Sequence, residues 1–331
     1  MTALLDHNQI GLNYRSPLPR PKVRGPVIDA HVHLFARRHA SVWFEGADHF
    51  GIDHFVTQTP LEEAIGLSRQ WGHRLAFVAV PKYDESKHTR MDTWLRRLDA
   101  FANLGAKMAK IHMAPQTMQR WGWRLDSPEI RRIMREIRDR GMIIMTHIGD
   151  PTLWYNKQYA DTSIYGTRDE HYAWWESALE EHRGWPWWCA HIAGNPEDLP
   201  RVQKLLDRFP DLVLDLSATR WMVREISHQR QAAREFVIRN EDRLIWGSDQ
   251  VSGDLRDFDF LASRWWCHRK LFETGYSGQS PILDPDFAAD QQPILHGLAL
   301  PDETLQKLYH DNAIRVLGKM GQKFGGMQVA A

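Results

Sequence analysis

Two histidines stand near the end of Val27–Leu34, an apolar stretch of the right length for one buried strand. His31 and His33 are two positions apart, so on a strand both side chains point to the same face. Two imidazoles on one face can bind a single divalent cation from the same side. The pair alone fits a metal site and a structural role equally well, because a histidine in a strand is often a satisfied core residue.

Further metal-binding or acid–base side chains follow at the ends of later apolar runs. They are Lys110, His112, His147, His191 and Asp249. Side chains alternate between the two faces of a strand, so His147, His191 and Asp249 can each point inward without a bulge. Three imidazoles and one carboxylate suit Zn²⁺, Mn²⁺ or Fe²⁺, with one position left open for water.

We therefore assign four ligands to one divalent metal ion and expect Zn²⁺ ahead of Mn²⁺ or Fe²⁺. The ligands are His31, His33, His147 and Asp249. A water on such an ion has its pKa lowered toward about 7. Asp249 can also carry a proton beside that water, and His191 is the other candidate base, so these two are the expected catalytic residues. The alternative for His191 is a hydrogen bond that orients a neighbouring carboxylate.

Cationic side chains near these ends are candidates for substrate binding. Lys110 is expected near a substrate carboxylate or paired with an internal acid. Arg220 and Arg224 follow the apolar run at 212–219, and Arg264 and Arg269 follow the one at 243–249. Arginine forks suit carboxylates, although for any single arginine an ion pair with a neighbouring acid is the favoured alternative. For the set, we expect at least one arginine to meet an anionic group of the substrate.

Aromatic side chains follow His147 closely. Trp154 and Tyr155 begin the segment 151–168, whose length and position predict a lid. They can form flat walls for a planar or ring substrate, or pack between loops.

The elements that must position these residues form a regular alternation of strand-like and amphipathic helical runs. Strands are predicted at 27–34, 54–59, 74–81, 106–113, 142–148, 186–192, 212–219 and 243–249, and helices near 60–71, 89–103, 127–139, 170–182, 196–209 and 227–239. Eight such repeats predict parallel strands with right-handed crossovers that close into a (β/α)8 TIM barrel of the α/β class. An open doubly wound sheet is the alternative, but no Gly-rich phosphate turn follows the first strand.

The domain organisation is predicted to be simple. We expect an N-terminal arm over 1–25, a barrel over 26–318 and a C-terminal tail over 319–331, with a long insertion at 251–300 after the eighth strand. The arm either lies on the surface or on a neighbouring subunit, or it is disordered.

Composition excludes several classes of function. Lys+Arg and Asp+Glu both number 42 in 331 residues, so no net charge favours nucleic acid or a membrane surface. Cys189 and Cys267 lie far apart and predict no disulfide framework. The 15 tryptophans suggest an aromatic pocket or a subunit interface. We expect a cytoplasmic homo-oligomer, most simply a dimer, that binds a small-molecule substrate.

Five short motifs resemble those of the amidohydrolase superfamily. They are Asp29–Ala30–His31–Val32–His33, Thr146–His147–Ile148–Gly149, Ala190–His191–Ile192–Ala193–Gly194, Trp246–Gly247–Ser248–Asp249 and Tyr309–His310–Asp311–Asn312–Ala313. The closer resemblance is to the branch with hydrolases and the aminocarboxymuconate-semialdehyde decarboxylase type of enzyme. It implies a (β/α)8 barrel with one metal on the four assigned ligands, and a role for His191 in orienting or activating water. Where relatives with two metals carry a carboxylated lysine, this branch implies a plain amine at Lys110. Some superfamily members work without metal.

The residues and motifs leave three alternative functions for this chain. The first is a metal-dependent hydrolase, in which metal-activated water attacks an amide, lactone or ester carbonyl of a small anionic or ring-containing substrate. The second is a non-oxidative, metal-dependent decarboxylase of an aromatic or unsaturated acid. The third is a non-catalytic binding protein on the same fold, against which the complete set of ligand types argues.

Overall fold

The computed structural model describes residues 6–322 and residue 324. The first five residues of the predicted arm, and residues 323 and 325–331 of the predicted tail, lie outside the described residues. The strands are β1 (Ile28–His33), β2 (His54–Thr57), β3 (Leu75–Ala79), β4 (Met108–His112), β5 (Ile143–His147), β6 (Trp187–Cys189), β7 (Leu212–Leu216), β8 (Leu244–Trp246), β9 (Gln250–Val251), β10 (Ser277–Gln279) and β11 (Ile294–His296).

Helices follow each of the first eight strands, β8 through the short β9. They are α1 (Ala40–Phe50), α2 (Leu61–Trp71), α3 (Arg90–Asn103), α4 (Pro115–Trp121), α5 (Pro128–Asp139), α6 (Thr152–Tyr155), α7 (Thr162–Tyr165), α8 (Arg168–Glu181), α9 (His191–Gly194), α10 (Leu199–Arg208), α11 (Trp221–His228), α12 (Arg230–Arg239), α13 (Phe258–Glu273), α14 (Asp302–Gln306) and α15 (Asn312–Gly318). A 3₁₀ turn, Arg37–His39, precedes α1, and a π-helical stretch, Lys307–Asp311, joins α14 to α15. The predicted α/β fold of the (β/α)8 class is confirmed.

Two compact units divide the chain. Within the described residues, the first contains 6–57 together with Leu216–Ile314, and the second contains Gln58–Asp215 together with 315–322 and 324. In the first unit, β1 pairs in parallel with β2 on one side and with β9 on the other. In the second unit, β3 to β7 pair in parallel in chain order.

The helix α5 illustrates why the amphipathic runs fold as predicted. Ser127 precedes Pro128, which is pre-set for the first turn of a helix and needs no hydrogen-bond acceptor there. The helix buries Ile130, Ile133, Met134 and Ile137, whose spacing places them on one face. Gly141 follows with a φ of +65°, a conformation that favours glycine, and the chain turns into β5.

The insertion after the eighth strand consists of α13, the antiparallel hairpin of β10 and β11, and connecting loops. The N-terminal arm contacts it directly: the backbone N–H of Gln9 donates to Pro281, and that of Leu283 donates to Asp6. Tyr14 of the arm is 3% exposed, and its hydroxyl donates to the carbonyl of His7. The arm therefore lies on its own unit. No helix in the described part of the chain is long and apolar enough to cross a membrane.

Candidate active site

In the first unit, two imidazoles and a carboxylate converge after β1 and β8. Nε2 of His33 lies 3.0 Å from Oδ1 of Asp249, and Nε2 of His31 lies 3.5 Å from the same oxygen. The two rings have centroids 5.4 Å apart, as expected for alternate residues of one strand. Three donor atoms of the predicted metal set are thus gathered within this unit.

The backbone around Asp249 explains how the carboxylate reaches the histidines. The strand β8 ends at Trp246, and Asp249 has a φ of +55°, so the chain has left the extended conformation. The N–H of Asp249 donates to the carbonyl of His31 at 2.8 Å, which ties the turn to β1. Gly247 permits this approach, because a Cβ there would lie 2.7 Å from the Cβ of His31.

Buried polar groups stabilise this arrangement from behind. Nδ1 of His31 lies 3.2 Å from Oγ of Ser217, which leaves Nε2 directed toward Asp249. Asp29 accepts hydrogen bonds from the backbone and hydroxyl of Ser248 at 2.8 and 2.6 Å, and from the indole of Trp265 at 3.0 Å. Complete burial raises the pKa of Asp29 to about 7 despite these bonds. Asp29 therefore positions Ser248, the residue that precedes Asp249.

The second unit carries its own cluster of imidazoles. His112 and His147 are paired at the ends of β4 and β5, with ring centroids 4.5 Å apart. The ring of His191 lies 4.9 Å from that of His147. Nε2 of His147 is 3.1 Å from Oδ1 of Asp150, whose other oxygen accepts from the hydroxyl of Tyr159 at 3.0 Å. Asp150 was missed by the sequence reasoning, although it follows the His147 motif directly.

The residues after β6 form a left-handed turn that carries His191. The strand ends at Cys189, and three residues without glycine's freedom have φ values of +58°, +53° and +55°: His191, Ile192 and Ala193. The expectation that His191 and Asp249 follow strand alternation without irregularity is wrong, because both lie beyond their strands at positive φ. The register of β1 with β2 also shifts between Asp29 and Val32.

Three hydrogen bonds hold this turn. The N–H of His191 donates to Asp215 at 2.8 Å, the hydroxyl of Tyr172 donates to the carbonyl of Ala193, and Nη2 of Arg168 donates to the carbonyl of Gly194 at 2.8 Å. Asp215 also accepts from an indole N–H in β6. A carboxylate inside the apolar strand β7 was the signal in the sequence that could have identified this partner.

The remaining candidates of the second unit are buried or engaged. Lys110 is 1% exposed in β4. The hydroxyl of Tyr155 lies 2.7 Å from Nδ1 of His171, and Trp154 precedes it in α6. The predicted lid, residues 151–168, contains the short helices α6 and α7.

A cavity of about 200 Å³ opens beside Asp249 in the first unit. Its lining consists of Ala218, Thr219, Arg220, Trp221, Asp249, Val251, Arg256, Phe260 and Arg264. Arg220 is one of the residues predicted to bind substrate, and Arg256 was not among them, because nothing in its sequence context marks it. Burial and the guanidiniums of Arg220 and Arg256 lower the pKa of Arg264 to about 9, so it is charged at neutral pH.

Arg224 has a different environment. Its guanidinium is 1% exposed and forms ion pairs with Asp284 at 2.6 Å, Glu225 at 2.7 Å and Asp286 at 3.1 Å. This is the ion-pair alternative considered above, while substrate binding by Arg224 stays a prediction. Arg269 likewise pairs with Glu273.

The family of this chain follows from a match to a known sequence profile. The sequence profile described as "Amidohydrolase" matches residues 36–319. The chain belongs to the amidohydrolase family. The predicted membership of the amidohydrolase superfamily is thereby confirmed. No curated protein matches the sequence.

Several solved structures are similar to this chain. The 5-carboxyvanillate decarboxylase of Novosphingobium aromaticivorans, solved with manganese and 4-hydroxy-3-methoxy-5-nitrobenzoic acid, has a TM-score of 0.54 and 11% identity, over 93% of this chain and 100% of that one. The 2,6-dihydroxybenzoate decarboxylase of Rhizobium has a TM-score of 0.49 and 10% identity, over 90% and 100%. The 4-oxalomesaconate hydratase of Rhodopseudomonas palustris has a TM-score of 0.47 and 12% identity, over 89% and 96%. At 11% identity, the likeness to the 5-carboxyvanillate decarboxylase concerns the fold alone.

The donor set of this chain fits a divalent metal. Imidazole nitrogens and a carboxylate oxygen are the ligand types that Zn²⁺, Mn²⁺ and Fe²⁺ share. The bond from Nδ1 of His31 to Ser217 fixes the ring so that Nε2 faces Asp249, as is usual for metal-binding histidines.

Proposed function

We propose that this chain is a metal-dependent decarboxylase that acts without redox chemistry on a small carboxylic acid. Asp249 lies in one cavity with Arg220, Arg256 and Arg264, and this is the observation on which the proposal depends. Guanidinium groups recognise carboxylates, and the acid they would bind lies next to a group able to move a proton.

The proposed ligands are His31, His33, His147 and Asp249. A divalent ion supplies a Lewis acid that polarises substrate oxygen atoms. Zn²⁺ suits these donors, and the manganese of the 5-carboxyvanillate decarboxylase makes Mn²⁺ the second ion to test.

The protein's own residues would carry the remaining steps. The arginines hold the anionic substrate so that its carboxyl-bearing carbon faces Asp249. Asp249 takes up a proton through its partner His191 and delivers it to that carbon. The π electrons of the substrate's double bond form the new C–H bond. The C–C bond then breaks, its electron pair restores the double bond, and CO₂ leaves. Lys110, Trp154 and Tyr155 are proposed to line the substrate site.

Hydrolysis is the second candidate, and the family match supports it. In that reaction, Asp249 and His191 would take a proton from water and pass it to the leaving group of an amide, lactone or ester.

One panel separates these functions. Protein reconstituted with Zn²⁺ or Mn²⁺ is incubated with aromatic and unsaturated acids, and with esters, lactones and amides of the same size. We expect CO₂ in equal amount to the acid consumed, and none with Asp249→Asn. Hydrolysis products without CO₂ would establish the hydrolase instead, and no turnover of any compound would favour the binding-protein alternative.

A further inference from the structure

The cavity beside Asp249 contains more positive charge than one carboxylate balances. Its lining includes three guanidiniums, those of Arg220, Arg256 and Arg264. Among the described lining residues, Asp249 is the only carboxylate. With Asp249 ionised, the lining side chains carry a formal charge of +2, which follows from three arginines less one aspartate.

None of the three arginines forms a close ion pair in the part of the chain described by the structure, and Asp249 acts on Arg256 only from a longer distance. Nη1 of Arg264 donates to the carbonyl of Phe260 at 3.1 Å and to Oγ of Ser263 at 2.8 Å. Nη1 of Arg256 donates to the carbonyl of Val251 at 2.7 Å. These neutral acceptors orient the guanidiniums without neutralising them, and Arg264 keeps Nε and Nη2 available.

One aromatic ring fixes two of these groups. The Cζ of Arg264 lies 3.4 Å from the centroid of Phe260, and the Cζ of Arg256 lies 4.9 Å from it. Arg264 is 6% exposed, so its side chain cannot turn out to solvent. A planar guanidinium stacked on a ring presents its donors in a preset direction, as recognition of a planar anion requires.

Arg224 in the same unit provides an internal comparison. It is also buried, and three carboxylates surround it. A buried arginine held only for stability is expected to have such partners, because burying an unpaired charge is costly. Arg264 is the buried member of the three, and burying it without a carboxylate destabilises the free protein and favours an anion that replaces the missing charge.

We propose that the substrate is a dianion, with a second carboxylate or an equivalent anionic group bound by Arg256 and Arg264, apart from the group that reaches Asp249 and the metal ligands. This inference rests on the proposed function and adds the class of substrate: small, planar dicarboxylates or carboxylates with a second ionised oxygen. Arg256 and Arg264 are then the residues that determine specificity.

The test measures binding, so it does not depend on turnover. Metal-loaded protein is titrated calorimetrically with isophthalate and with benzoate at equal ionic strength, and with glutarate and butyrate as an aliphatic pair. We expect the dianion of at least one pair to bind about tenfold more tightly than its monoanion, since a hydrogen-bonded charge contributes this much.

Substitutions test whether Arg256 and Arg264 cause the preference for the dianion. In Arg256→Gln and Arg264→Met the ratio of the two affinities should fall toward one, whereas Arg264→Lys should retain part of it. Arg239→Gln, an exposed arginine outside the cavity, is the matched control and should change nothing. If the buried Arg264→Met variant does not fold, as judged by circular dichroism, Arg256→Gln still decides.

Equal binding of dianion and monoanion in both pairs, a preference that survives in Arg256→Gln, or no binding at millimolar concentration would overturn the inference. CO₂ release from monocarboxylates without dianion preference would refute only this inference. Dianion preference without CO₂ release would refute only the proposed reaction.

Discussion

Nε2 of His33 and Oδ1 of Asp249 lie 3.0 Å apart, although 216 positions separate the two residues in the sequence. His31 approaches the same carboxylate oxygen at 3.5 Å. Two imidazoles around one carboxylate can share a cation or a proton. A bound cation would link all three groups and oppose unfolding, because it binds only the folded arrangement.

Replacing His33 by Gln, or Asp249 by Asn, should therefore remove the metal. We expect purified wild-type protein to contain close to one equivalent of a divalent metal and either variant to contain little, as measured by elemental analysis after dialysis. His228→Gln, whose side chain is 53% exposed, serves as control and should keep the metal. Full metal content in both variants would rule out the proposed ligands.

Ser217→Ala tests the contact behind His31. Without the hydroxyl 3.2 Å from Nδ1, the ring loses the hydrogen bond that sets its tautomer and orientation. Metal affinity should fall by about 10- to 100-fold, the usual effect of removing such a partner. Competition with a chromogenic chelator measures it, and Ser177→Ala on the exposed surface of α8 should leave it unchanged. An affinity within experimental error of wild type would mean that Ser217 does not orient His31.

The left-handed turn after β6 predicts an unusual response to glycine. Ala193 has a φ of +55°, where an L-residue is strained by about 1 kcal/mol and glycine is not. Ala193→Gly should thus be neutral or stabilising in urea denaturation. Ala178→Gly in the interior of α8, also buried, should cost about 1 kcal/mol or more. Equal destabilisation by both substitutions would show that the turn is unstrained.

His268 predicts how stability changes with pH. Its Nδ1 accepts from the indole of Trp246 at 3.2 Å, and complete burial lowers its pKa from 6.5 to about 3. Below pH 6.5 the unfolded chain binds a proton that the folded protein excludes, so stability falls as the pH decreases toward 3. The expected slope is about 1.4 kcal/mol per pH unit from this one residue.

Urea denaturation between neutral pH and pH 4 measures this slope in wild type and in His268→Gln. The variant should be less stable at neutral pH, since the indole N–H of Trp246 loses its present acceptor, but its stability should change less with pH. Parallel curves would assign the acid sensitivity to other groups.

The sequence predicted the strands well, because alternation of apolar runs and helix start signals such as Ser127–Pro128 act locally. The prediction that His191 and Asp249 lie within their strands was wrong. Strand alternation applies only while the backbone is extended, and both residues follow a change to positive φ. No periodicity in a sequence reports such a turn.

Side-chain partners that lie far apart in the chain were also beyond prediction. Arg224 and Arg220 are four positions apart, and nothing in the sequence around them distinguishes their roles. Yet Arg224 meets Asp284, 60 positions away, while Arg220 lines the cavity with Asp249. Only the fold of the insertion decides which arginine is neutralised.

Gly247 has a consequence for how this protein can vary. The backbone there passes so close to β1 that a single methyl group would lie 2.7 Å from the Cβ of His31 and 2.9 Å from its nitrogen. The two chain segments that carry His31 and Asp249 can thus lie this close only because the side chain at position 247 is a single hydrogen atom. Any larger residue at this position would push the two segments apart. The distance between the side chains of His31 and Asp249 would then change, although neither residue had been substituted.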